Sequence, residues 1–96
     1  MTTETKERAV VAIGDRLRIT RQVTGMQQNE FCSRASIAAN TYNQYEQGKR
    51  RPSIDHANAL CDAYRITLDW IYRGDPSGLP YSMADAIKAI RQARTQ

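Results

Sequence analysis

Asn40, Asn43 and Gln44 stand close together and are followed, after four intervening residues, by Lys49-Arg50-Arg51, the tightest basic cluster in the chain. A carboxamide presents a donor and an acceptor side by side, and guanidinium and ammonium groups suit phosphate oxygens. The net charge of +4 and the isoelectric point near 9.4 suit a polyanionic partner without demanding one. Other chemistry is poorly supplied. Cys32 and Cys61 lie far apart in the chain, no Cys-x-x-Cys pair exists, and His56 is the lone histidine. A zinc site with cysteine and histidine spacing is therefore not expected. There is no glycine-rich phosphate loop and no nucleophile beside a base, so neither an enzyme nor a cofactor is expected. Both cysteines sit among apolar positions and read as small core residues rather than redox sensors.

These side chains need elements to hold them. With 96 residues, 41% hydrophobic and 25% charged, the chain fits one small globular domain. No stretch approaches the ~20 apolar residues needed to span a membrane. The N-terminus is polar with no apolar run behind it, so no signal peptide is expected and the chain reads as cytoplasmic. Residues 1–6 are expected to fray.

From Glu7 the pattern is helical, with Val10, Ile13, Leu17 and Val23 near one face and Gly25 as a stop signal. A second, shorter helix opens at Gln27 or Gln28 and buries Phe31, Cys32 and Ala35. Ser36 breaks it, and Ile37 follows alone. A third helix runs from about Ala39 to Gln47, with Tyr42 and Tyr45 on one face and Asn40, Asn43 and Gln44 on another; Gly48 caps it. After the basic loop, Ser53 reads as the N-cap of a fourth helix, with Asp55 in its first turn. Ala57, Leu60, Cys61 and Tyr64 form its apolar stripe. Thr67 caps a fifth, short helix with Leu68, Trp70 and Ile71, closed by Gly74-Asp75-Pro76. A turn-rich connector leads to Ser82-Met83-Ala84-Asp85, which resembles a capping box. Met83, Ala86, Ile87 and Ile90 then stripe a last helix to about Arg94. The expectation is an all-α bundle of five short helices plus a C-terminal sixth. Residues 7–74 form the domain and 75–96 a connector with an amphipathic helix.

From Gln28 to Gln47, two short helices flank the turn Ala35-Ser36-Ile37-Ala38, and small Cys32 sits where they must approach. A helix-turn-helix needs that spacing, with one face of its second helix left free. The chain here resembles the phage repressor and Cro-type (XRE-like) helix-turn-helix proteins. The matching pieces are Gly25-Met26-Gln27-Gln28, Tyr45-Glu46-Gln47-Gly48-Lys49, Arg51-Pro52-Ser53 and Thr67-Leu68-Asp69-Trp70-Ile71. They cover roughly residues 12–74, in the family's order and spacing.

The resemblance implies roles for matching residues. Ala39, Asn40, Asn43 and Gln44 would face the bases of the major groove, where Asn and Gln can pair bidentately with adenine. Gln28 would meet a phosphate and brace the recognition helix. Thr41, Gln47, Lys49, Arg50 and Arg51 would lie nearer the DNA backbone, positioning the protein without reading sequence. Arg21 and Glu46 would form an ion pair fixing the angle of the recognition helix. The chain departs from the family's pattern in three ways. Ser36 stands where the tight turn usually has glycine, and Ala38 replaces the usual hydroxyl cap. Tyr42 and Tyr45 replace aliphatic core residues, and one of their hydroxyls is a candidate to reach a phosphate.

The plainer alternatives are a solvated polar face for Asn40, Asn43 and Gln44 and a solvated basic loop. The expected function is sequence-specific transcriptional regulation, as a homodimeric repressor on double-stranded DNA. Dimerisation is assigned to Leu68, Trp70, Ile71 and Tyr72, with Ile87 and Ile90 contributing if the last helix pairs with a second copy instead of covering its own core. The second reading is an antitoxin or adaptor whose main partner is another protein.

Overall fold

Helix α1 (Thr3–Thr24) is the spine of the molecule. The structure is a computed structural model describing residues 3–94, with side chains from Glu7 onward. Of the stretch expected to fray, residues 3–6 continue α1; residues 1 and 2 lie outside the described residues. Ile13 and Leu17 are buried as their spacing requires, but so are Ile19 and Thr20. The reason is enclosure: the helices at Ala39–Glu46 and Tyr81–Arg94 and the turn at Asp69–Arg73 all pack on α1. Gly25, at φ +75°, ends the helix.

The remaining elements follow in the expected order: α2 (Gln28–Arg34), α3 (Ala39–Glu46) and α4 (Ile54–Tyr64), then a π-helical turn (Asp69–Arg73) and α5 (Tyr81–Arg94). Their ends carry the predicted signals. Ser53 Oγ accepts from the His56 amide at the start of α4, and Thr67 Oγ1 accepts from the Trp70 amide at 2.9 Å. The expected short fifth helix is wound as a wider π-helical turn, and Gly74 closes it at φ +77°. The expected capping box is displaced. The Ala84 amide bonds the Pro80 carbonyl, so Pro80 opens α5, at a place where its missing N–H costs nothing. Ser82 then lies inside the first turn.

Around α1 the core gathers Phe31, Tyr42, Tyr45, Leu60, Trp70 and Ile71, all essentially inaccessible. Trp70 donates its indole N–H to Thr20 Oγ1 at 3.0 Å, so this large side chain is buried without an orphaned donor. The Cα radius of gyration is 12.8 Å, close to the ~12.5 Å of a compact chain of this length.

The last helix folds back over its own core. Ile87 is buried, Arg91 lies 5.2 Å from the Trp70 ring centroid, and Arg94 forms a two-point bridge to Asp15 at 3.0 and 3.1 Å. Three residues assigned to dimerisation are thereby spoken for. Trp70, Ile71 and Ile87 spend their apolar surface inside the chain, whereas Leu68, Tyr72 and Ile90 remain partly open.

Candidate nucleic-acid interface

The turn between α2 and α3 is a tight helix C-cap. The Ile37 amide reaches back to the Cys32 carbonyl and the Ser36 amide to Ser33, each at 3.0 Å. This pattern requires a left-handed residue just past the helix end, and Ser36 fills it at φ +57°. Ile37 and Cys32 are both buried, so the turn is also closed by an apolar contact. The end of α3 repeats the pattern: Lys49 bonds back to Gln44 and Gly48 to Tyr45, with Gly48 at φ +72°. Ala38 stands at the N-cap of α3 without a side-chain bond, as its type dictates.

Helix α3 is gripped from behind at one carboxylate. Glu46 is buried and accepts from Arg21 at 2.7 and 3.2 Å. The Gln28 amide adds a bond at 2.9 Å and the Tyr42 hydroxyl another at 2.6 Å. Burial opposes the charge on this carboxyl, but the bonds from Arg21, Tyr42 and Gln28 overcome it and hold its pKa below the ordinary value. The same contact with Glu46 pushes the Arg21 pKa up, and burial followed by the nearby Glu46 charge pushes the Tyr42 phenol up. The expected Arg21–Glu46 pair is therefore present, with two further donors from α2 and from α3 itself.

Two contacts at the same end were not anticipated. Arg18 donates to the Glu46 carbonyl at 2.9 Å, placing a cation at the negative end of α3. Gly14 faces the carbonyls of Tyr45 and Glu46 so closely that a Cβ there would lie 2.5 and 2.6 Å from their oxygens. A glycine inside a helical pattern can mark such a close approach, and that was the one signal available.

Neither tyrosine hydroxyl is free for a phosphate. Tyr42 is committed to Glu46, and Tyr45 shares a hydrogen bond of 2.7 Å with His56 Nδ1 from α4. Both rings are buried because α3 packs them inward.

The opposite side of α3 is open. Ala39, Asn40 and Gln44 are exposed and Asn43 is half-buried, so the four lie together on or beside one accessible surface. Gln47, Lys49, Arg50 and Arg51 are exposed beyond the helix end, and Thr41 is half-buried at its edge. Gln28 is half-buried and turned toward Glu46. A model of the helix-turn-helix domain matches residues 12–69. The chain belongs to the helix-turn-helix domain family. The match is consistent with the XRE-like resemblance and ends within the turn that carries Trp70. No curated protein and no solved structure matches the chain. Membership supports DNA binding and, with it, a regulatory role for the helix-turn-helix domain. No helix among the described residues is long and apolar enough to cross a membrane. Nor, among those residues, do three His, Cys, Asp or Glu side chains converge as metal ligands would.

Proposed function

We propose that this helix-turn-helix protein is a sequence-specific transcriptional regulator, a cytoplasmic repressor that binds a two-fold symmetric operator as a homodimer. The observation that carries the reading is the division of α3 into two faces. Tyr42, Tyr45 and Glu46 are locked inward, while Ala39, Asn40 and Gln44 are exposed with Asn43 beside them. A helix held this firmly presents its amides at fixed positions, which purine edges in the major groove require. Gln47, Lys49, Arg50 and Arg51, with Thr41, then meet phosphates and set the register. Gln28 keeps a second amide N–H for a phosphate while the first braces Glu46. In the dimer the two α3 helices lie about 34 Å apart, one turn of the duplex. On this reading the protein acts by binding and not by catalysis.

Selection from a random duplex pool, with the enriched sequences titrated against salt, tests this reading. An inverted repeat containing adenines or thymines that respond to changes at Asn40, Asn43 or Gln44 is the expected result. A steep salt dependence with no enriched sequence would mean that the basic loop binds phosphate alone, and the reading would fail.

A further inference from the structure

Helix α5 has an inner and an outer line. Ile87 is buried, and Met83, Ala86 and Ile90 are partly buried. Opposite them run Tyr81, Asp85, Lys88 and Gln92, at the spacing that keeps side chains on one line of a helix. All four are exposed, and Tyr81 is 90% exposed, the most of any large hydrophobic side chain in the described chain. Beside this line a groove is formed by Pro76, Ala84, Ile87 and Arg91. Neither Asp85 nor Lys88 takes part in an ion pair among the described residues.

The outer line has a symmetry of its own. About the midpoint between Ala86 and Ile87, Asp85 stands opposite Lys88, Ala84 opposite Ala89, and Tyr81 opposite Gln92. A helix with this arrangement is complementary to itself when turned end for end. Acid then meets base, alanine meets alanine, and the tyrosine at one end covers the far turn of the other helix. A two-fold interface needs such a surface, since every contact occurs twice.

We propose that α5 is a self-association surface, on which the α5 of a second copy lies antiparallel with Asp85 of each chain meeting Lys88 of the other. The inference rests on the homodimer reading above and gives that dimer an interface. It also replaces the inward-facing Ile87, and the half-buried Ile90, as the contact residues of this helix. Tyr81 supplies the aromatic anchor that interfaces favour. The 14 residues of α5 extend for about 21 Å. One such face makes a small interface, so association is weak and weakens further as salt screens the two ion pairs.

Sedimentation of the full chain across a micromolar concentration series, at low and high salt, reads the dimer constant directly. Lys88→Asp and Asp85→Lys each replace two attractions by two repulsions, and each is expected to raise the dimer Kd about tenfold. Combining them restores complementarity, and the doubly exchanged chain is expected to dimerise nearly as the parent does. Tyr81→Ala, which alters no charge, is expected to weaken the dimer while leaving the melting temperature unchanged at concentrations well below the parent's dimer Kd. If the parent dimerises and neither single exchange alters its Kd, or the double exchange fails to restore it, the dimer uses another surface. The inference is then overturned and the homodimer reading stands. A parent chain that stays monomeric, alone and on its selected DNA, overturns both.

Discussion

Gly14 of α1 lies against the carbonyl oxygen of Glu46, at a distance where a methyl group would sit 2.6 Å away. The neighbouring Tyr45 carbonyl is as close, and both are backbone atoms that cannot swing aside. In an isolated helix, alanine at this position would stabilise by roughly 0.5–1 kcal/mol. Here Gly14→Ala is expected to destabilise by the upper part of the ~1–3 kcal/mol range for overpacking, because α1 and α3 must separate. Thermal melts of the variant would show the sign, and an unchanged or raised melting temperature would refute the contact.

Removing Arg21 leaves Glu46 with the weaker donors Gln28 and Tyr42 and the more distant Arg18. With a Glu46 side chain only 2% exposed, Arg21→Ala is expected to cost on the order of 3 kcal/mol. Denaturant titration at neutral pH measures it.

The same carboxylate makes stability depend on pH. The folded pKa of Glu46 lies below its ordinary value of 4.5. Its contribution is therefore complete above that value and is lost as pH falls through the lower, folded pKa. Asp15, held down by the Arg94 hydrogen bond despite partial burial, acts in the same direction. Urea melts below pH 4.5 should show falling stability, with a shallower fall in Glu46→Gln, itself less stable at neutral pH. Equal slopes in both proteins would remove Glu46 from the account.

Among the described residues, two carry left-handed backbone without being glycine: Ser36 at φ +57° and Arg65 at φ +56°. That conformation costs an L-residue about 1 kcal/mol or more, part of which glycine gives back in chain entropy. Ser36→Gly and Arg65→Gly are each expected to stabilise by ~0.5–1 kcal/mol, a few degrees in melting temperature for a chain of this size.

On DNA, the open face and the basic loop should separate cleanly. Asn43→Ala or Gln44→Ala should cost roughly 1–3 kcal/mol on the selected site and relax preference at particular base pairs. Arg51→Ala should weaken all sequences alike and lower the salt slope by about one. Competition binding against a randomised duplex distinguishes the two patterns, and both alanine variants keeping full preference would move the reading face elsewhere.

What was legible in the residues was local. Gly25, Ser36, Gly48, Ser53 and Thr67 each announce an element boundary through their own backbone or side-chain chemistry, and all five do so in the structure. The Arg21–Glu46 pair came from the resemblance to a family, since nothing in its spacing points to it. Gly14 gave only the signal of a glycine inside a helical pattern, and Arg18 and the Tyr45–His56 bond gave none, because their reasons lie on other elements distant in the chain. Arg16, which donates twice to the Ile71 carbonyl, is another such case. That Trp70, Ile71 and Ile87, assigned to a dimer contact, are buried within the chain was hidden for a related reason. An apolar stripe says that it must be buried, but not against which surface.

Glu46 joins α1, α2 and α3 through a single side chain. A shared ion of this kind ties the helix proposed to be read to the two that carry it, and the expectation is that the three move together. In the proposed dimer, any mismatch between the paired α3 helices and the pitch of the duplex must then be absorbed by the nucleic acid. The energy of that bending or twisting varies with base steps that no side chain touches. On the proposed reading, part of the operator's sequence preference is then written in the stiffness of its centre.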